Sequence, residues 1–236
     1  MSSVLMILTA ATQWTQKDGT QRPSGFWSEE FATPHRILSD AKVRITIATP
    51  GGAPATVDAL SLSLMANNND AAKVAELTAY LEKTADALRS PMRLEDVNLA
   101  DHDAVLVPGG HGPMQDLAVS EAVGRVLTAA LADPAKVVGA LCHGQASFLS
   151  AGDAASWPFK GRRITAFTNT EESAVGLAAN APWLLESRLR DGGAEFIGGA
   201  PFGSHVVVDG NLVTGQNPQS AEATTQAVLQ AMRERA

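Results

Sequence analysis

The chain has 236 residues, 45% hydrophobic and 18% charged, which is enough apolar material for a core and too little charge for a disordered chain. Eighteen Lys and Arg stand against 25 Asp and Glu, a net charge of −7 at pH 7. With no basic block in that background, a nucleic-acid groove or an anionic membrane surface is excluded as a partner. One cysteine excludes both an intramolecular disulfide framework and a Cys-rich zinc site.

The first apolar run, Val4–Thr9, has no basic segment before it and is too short to span a bilayer. It reads as a buried strand, and the protein as soluble and cytoplasmic. A polar loop, Gln13–Ser24, follows; its Trp14 is either a cover for a pocket or a surface aromatic. Val43–Thr49 is the next β-branched run, and Ala72–Leu88 has helical apolar spacing at Val74, Leu77, Leu81 and Leu88. Ala104–Val107 predicts a strand before Pro108-Gly109-Gly110, and Val119–Leu131 a helix. Val137–Leu141 and Ile164–Thr168 are further strands, with a helix expected over Ser173–Ala179. Near the end, two short strands turn about Asp209-Gly210, and a last helix is capped by Asn217 with Pro218 in its first position and runs to Arg235.

Continuous rather than alternating hydrophobicity means strands buried on both faces, as in a parallel sheet covered by helices. The strand–helix alternation predicts a doubly wound, mostly parallel α/β sandwich of the flavodoxin-like kind. With no linker, repeat or low-complexity tract, residues 1–236 read as one domain.

Cys142 lies directly after the strand Val137–Leu141, in Gly139-Ala140-Leu141-Cys142-His143-Gly144. Small residues on either side of a central nucleophile are the pattern of a nucleophile elbow, a sharp strand-to-helix turn. A thiol at a helix N-terminus is expected to have a lowered pKa. A packing cysteine would need neither the adjacent His143 nor the glycines, so Cys142 is read as reactive. The amide of His143 and the Gly109-Gly110 turn are expected to supply oxyanion donors. His35, His102, His111 and His205 lack metal-ligand spacing, so no metal site is predicted. They are read as surface or polar-network residues; His111 is set apart because it adjoins the oxyanion loop.

Together these residues resemble the ThiJ/PfpI superfamily, the class I glutamine-amidotransferase-like α/β proteins. Within it they resemble the branch of heat-shock chaperones and glutathione-independent glyoxalases (glyoxalase III). The resemblance runs through Phe26-Trp27-Ser28-Glu29-Glu30 with Pro34, Ala48-Thr49-Pro50-Gly51-Gly52, Val57-Asp58 with Ser61, and Pro108-Gly109-Gly110-His111-Gly112. It continues through Leu141-Cys142-His143-Gly144, Phe167-Thr168-Asn169-Thr170-Glu171-Glu172 and Val213-Thr214-Gly215-Gln216-Asn217-Pro218 with Ser220. It implies Cys142 as nucleophile, His143 as its base, and a carboxylate of the Glu171-Glu172 pair, by its offset Glu172, as the third member. Glu30 would sit against the thiol, and in an apolar site its pKa would be raised enough to make it a proton donor. Gly110 and His111 would adjoin the substrate oxygen, with Phe26 and Trp27 as apolar walls.

The implied chemistry is a glyoxalase reaction without cofactor or metal. A Cys142 hemithioacetal of methylglyoxal or a similar small carbonyl compound, neutral rather than polyanionic, becomes a 2-hydroxy acid such as D-lactate. The other readings are a stress-response holding chaperone or cysteine redox sensor, and another cysteine-dependent activity of the superfamily (isonitrile hydratase, peptidase or amidase). A glutamine amidotransferase triad is excluded because His205 is followed by Val206 and Val207. Family members are often dimers, so a homodimer is expected.

Overall fold

The computed structural model describes residues 2–152 and 156–235. Its strands are β1 (Ser3–Ile7), β2 (Gln13–Thr15), β3 (Gln21–Pro23), β4 (Arg44–Thr49), β5 (Met92–Arg93), β6 (Ala104–Val107), β7 (Val137–Leu141), β8 (Arg163–Ile164), β9 (Glu195–Phe196), β10 (Val206–Asp209) and β11 (Leu212–Gly215). Its helices are α1 (Ser28–Asp40), α2 (Ala71–Lys83), α3 (Ala85–Arg89), α4 (Gly112–Gln115), α5 (Glu121–Ala132), α6 (Asn169–Ala174), α7 (Leu185–Asp191) and α8 (Ala221–Arg233), with short 3-10 turns between them.

Seven strands form one sheet in the order β10-β11-β7-β6-β1-β4-β5, parallel throughout except where β10 meets β11. The residues of β1, β6 and β7 are all buried, as their unbroken apolar runs require. Alternate residues go to opposite sides. Leu5, Ile7, Val105, Val107 and Val138 pack with Val123 and Leu127 of α5, while Val4, Met6, Leu106 and Val137 pack with Phe31 of α1 and Val228 of α8. Two apolar layers on one sheet give the doubly wound, flavodoxin-like sandwich. The chain goes one way from β1 to β4 and the other way from β1 to β6, and the crevice at such a reversal, beyond the strands' carboxyl ends, is where ligands bind in open α/β sheets.

Several expected elements are displaced, each for a local reason. The Ile164–Thr168 run adds no strand to the main sheet: β8 pairs only with β9, and Thr165 and Phe167 give their N–H groups to Thr214 Oγ1 and the Cys142 carbonyl. The helix from Ala72 breaks at Thr84, whose hydroxyl donates back to the Tyr80 carbonyl and bends the chain between α2 and α3. Val119 lies before the Ser120 cap of α5 and is 76% exposed rather than buried. The helix expected from Ser173 starts earlier, at Asn169, because Thr168 caps it. Asn217 does not cap the last helix. Its amide donates to Glu171 Oε1 and the Gly203 carbonyl, and a 3-10 turn intervenes before α8.

Gly144 locks the turn after β7 against β6, since a Cβ there would lie 2.2 Å from the Val107 carbonyl oxygen. Gly144→Ala is therefore expected to destabilise the protein by about 3 kcal/mol, measured as a lowered urea midpoint.

Candidate active site

β7 ends extended at Leu141 and the next residue, Cys142, takes φ +57°. A side chain in the left-handed region is strained and persists only where the surroundings fix it. Here the Cys142 carbonyl accepts the Phe167 N–H (3.2 Å) and Gly144 allows the turn to close on β6. The stretch that follows, Cys142–Ser150, is a 3-10 helix. Cys142 is buried, with Sγ 3.3 Å from His143 Nδ1.

On the thiol's other side stands Glu30, fully buried in the first turn of α1. Gly109 N–H donates to its Oε2 (2.8 Å). Burial raises its pKa to about 8, against the opposing pull of the Cys142 thiol and the Gly109 N–H. Oε1 is buried without a conventional hydrogen-bond partner, which makes it the oxygen to carry the proton at neutral pH. The expectation of a lowered thiol pKa is overturned. Burial first, and then the Glu30 carboxylate, push Cys142 well above the ordinary thiol value.

His143 Nε2 lies 2.6 Å from Glu172 Oε2, and His111 Nε2 lies 2.9 Å from Glu172 Oε1. Although burial opposes ionisation, the two imidazoles hold Glu172 well below the usual carboxylate range. An ionised carboxylate only accepts, so both Nε2 atoms carry protons, and the Nδ1 of His143 is the nitrogen turned to the thiol. Burial and the neighbouring His143 lower the pKa of His111. Among the described residues, His111, His143 and Glu172 also form the one trio of metal-type donors whose ligand atoms lie within 4.8 Å of one another. It is the donor set that could hold a divalent cation.

Four aromatic rings follow one another in close contact through this trio, the first pair stacked and the next two tilted. Trp14 lies on His111 (centroids 4.6 Å), His111 on His143 (4.1 Å), and His143 on Phe167 (4.7 Å). Glu171 points elsewhere: it completes the Thr168 capping box and accepts from the Phe202 N–H and the Asn217 amide.

The sequence matches the model of the DJ-1/PfpI family over residues 23–231. The chain belongs to that family. It is 26% identical to Glyoxalase 3 of Candida albicans over 98% of each chain, and 32% identical to the Bos taurus glutamine amidotransferase-like class 1 domain-containing protein 1, covering 81% of this chain and 82% of that one. The crystal structure of glyoxalase III from Candida albicans superposes with a TM-score of 0.81 at 25% identity, covering 98% of this chain and 97% of that one.

This DJ-1/PfpI chain thus brings Cys142, His143, Glu172 and Glu30 together. The Gly109-Gly110 turn adjoins them: a Cβ on Gly109 would lie 2.8 Å from the His143 amide nitrogen, and Gly110 takes φ +97° against the Gly25 carbonyl. The side chain of His111 belongs to Glu172 rather than to the oxyanion loop. Phe26 is buried and packs on Phe31 in the core (5.3 Å). The Trp27 N–H braces the glycine turn through the Gly109 carbonyl (2.9 Å). His35, His102 and His205 join Tyr80, Ser3 and the Ile197 carbonyl in polar contacts away from the thiol. Trp14 is buried, so the surface reading of that residue falls.

Two contributors were missed in the sequence. Phe167 was noted only as part of a motif, and Asp116 went unnoticed although it accepts from Thr9 Oγ1 and the Ala10 and Ala11 N–H groups, fixing the loop after β1. No local spacing marks either contact. Glu171 did carry a signal, the Thr-x-x-Glu pattern of a capping box, which identifies it as the structural member of the pair.

Glu172→Gln is expected to cut turnover at least ~100-fold and, by removing the charge between two buried imidazoles, to lower stability as well, whereas Glu171→Gln lowers the melting temperature with turnover largely kept; both follow from one set of kinetic and thermal measurements. Glu30 gives a pH signature. Its folded pKa of about 8 exceeds the ordinary 4.5, so the folded state keeps a proton that the unfolded chain has released. Between these values wild-type stability falls as pH rises, and above about 8 this slope ends. The melting temperature of Glu30→Gln minus that of wild type should therefore grow between those two pH values and then level off. A difference constant with pH would contradict the buried protonated carboxyl.

Proposed function

We propose that this protein is a glutathione-independent glyoxalase, converting methylglyoxal or a similar 2-oxoaldehyde to a 2-hydroxy acid on Cys142. The observation that carries this reading is a buried thiol held between the Nδ1 of His143 at 3.3 Å and the carboxyl of Glu30, whose pKa is raised to about 8. Full-length relationship to a glyoxalase 3 supports it.

His143 Nδ1 takes the thiol proton, and the resulting imidazolium is stabilised by Glu172. Removing the proton and attacking in one encounter suits a thiol whose pKa is raised at rest, because the thiolate forms only as the aldehyde arrives. Sulfur adds to the aldehyde carbon, and the carbonyl electron pair moves to oxygen beside the His143 amide and the Gly109-Gly110 turn. Glu30 protonates that oxygen and, once ionised, removes the hydrogen from the same carbon. The ketone oxygen takes the proton that His143 received from the thiol, giving an enediol. Reprotonation at the second carbon and collapse at the first leave a thioester, so one carbon is oxidised as its neighbour is reduced and no external electron acceptor enters. Water releases the 2-hydroxy acid and restores the thiol.

Purified protein given methylglyoxal without glutathione should form D-lactate, and Cys142→Ala should lower the rate by more than about 1,000-fold. No product from wild type, or undiminished product from Cys142→Ala, would sink the proposal.

A further inference from the structure

The β2–β3 hairpin lies against the site, and its register places Trp14 directly opposite Arg22. Opposed residues of an antiparallel pair send their side chains to the same face. Trp14 uses that face to stack on His111, and the Thr15 N–H ties the hairpin to α4 through Gln115 Oε1 (2.8 Å), so Arg22 stands over the same end of the site. Its charge reaches His111, where it adds to the forces that keep the imidazole neutral.

The guanidinium is poorly provided for. Its side chain is only 19% exposed, and Nη1 is buried with no hydrogen bond. It forms an ion pair with the buried carboxylate of Asp58 at 3.7 Å, longer than a hydrogen bond, and the approached oxygen also accepts from Ser24 Oγ. Trp14 Nε1 is likewise buried without a partner. Among the described residues, then, one face of the hairpin holds two buried N–H donors that make no hydrogen bond, one of them on a guanidinium whose charge is met by the long Asp58 ion pair. Donors left in that state are costly. A planar carboxylate supplies what a guanidinium fork and an indole N–H lack.

We propose that Arg22, with Trp14 beside it, is the subsite for a carboxylate at the far end of the substrate. The preferred substrates are then 2-oxoaldehydes with an anionic tail rather than methylglyoxal itself. The inference rests on the glyoxalase reading and replaces the neutral carbonyl compound expected from the sequence. Arg22 meets the tail, and the groups that move protons at Cys142 stay the same.

The test compares two substrates on the purified full chain: methylglyoxal, and a 2-oxoaldehyde whose terminal carboxylate lies two methylenes beyond the ketone and whose product is 2-hydroxyglutarate. Wild type should show kcat/KM at least about tenfold higher for the carboxylate substrate, the lower end of what a charge-assisted hydrogen bond is worth. Arg22→Met should lower that ratio about tenfold, and Arg22→Lys should recover part of it, with circular dichroism confirming that each variant folds. Equal kcat/KM values in wild type, or a ratio unmoved by Arg22→Met, would overturn the subsite while leaving the glyoxalase reading intact. If neither substrate is turned over, the glyoxalase reading fails, and calorimetry of Cys142→Ser with 2-hydroxyglutarate and lactate decides the subsite alone. Tighter binding of 2-hydroxyglutarate that is lost on adding Arg22→Met sustains it, and equal binding refutes it.

Discussion

The left-handed backbone of Cys142 is the constraint from which the rest of the site follows. A strand that ended in an ordinary turn would let residue 142 face the sheet like its neighbours, as Ala140 and Leu141 do. At φ +57° the side chain leaves that layer instead, and the strain is held by contacts made far away in sequence. The Val107 carbonyl admits only a glycine two residues later, and the Phe167 N–H closes on the Cys142 carbonyl. That second bond also brings the Phe167 ring beside His143, and two residues beyond it the helical turn that delivers Glu172 begins. Position 142 therefore organises the segment after β8 as well as its own turn, which explains why residues 165–168 serve the site instead of extending the sheet.

Around this thiol two glutamates of identical chemistry behave in opposite ways. Glu30 has one backbone N–H for one oxygen and nothing conventional for the other, so burial dominates and the carboxyl keeps its proton. Glu172 is nearly as buried but has an imidazole on each oxygen, and it stays ionised. The number of donors, not depth, decides which of the two is acid and which is counter-ion. A thiol between them is in contact with a proton source on one side and a stabilised proton acceptor on the other.

How much of this could be read in the sequence depends on how local each cause is. β6 and β7 are continuous apolar runs, and their bounds match the structure to the residue. The elbow was visible because small residues at 139, 140 and 144 serve one turn within a few positions. Thr84 hides its effect because the bend comes from a hydroxyl turned back on the helix, which apolar spacing does not register. The inward turn of Phe26 and the His111–Glu172 contact, 61 residues apart, depend on the packed sheet and have no sequence signature. The direction of the Cys142 pKa was misread for a related reason. Helix-terminus reasoning counts the peptide dipoles near the sulfur and omits both the closed surroundings and the carboxylate brought in by α1. The hairpin of three-residue strands was too short for alternation to mark its faces, so Arg22 looked like any polar loop residue.

The aromatic column has one more effect, on how the base moves. His143 is wedged between the tilted rings of His111 and Phe167 while its Nε2 is tethered to Glu172. An imidazole so held cannot rotate about its Cβ–Cγ bond without disturbing two close ring contacts and a charge-assisted hydrogen bond. Its nitrogens are never exchanged for one another. Protons arriving from sulfur and protons held by Glu172 therefore occupy separate ports of one stationary ring, and His143 works as a fixed relay with a direction built in, not as a swinging arm.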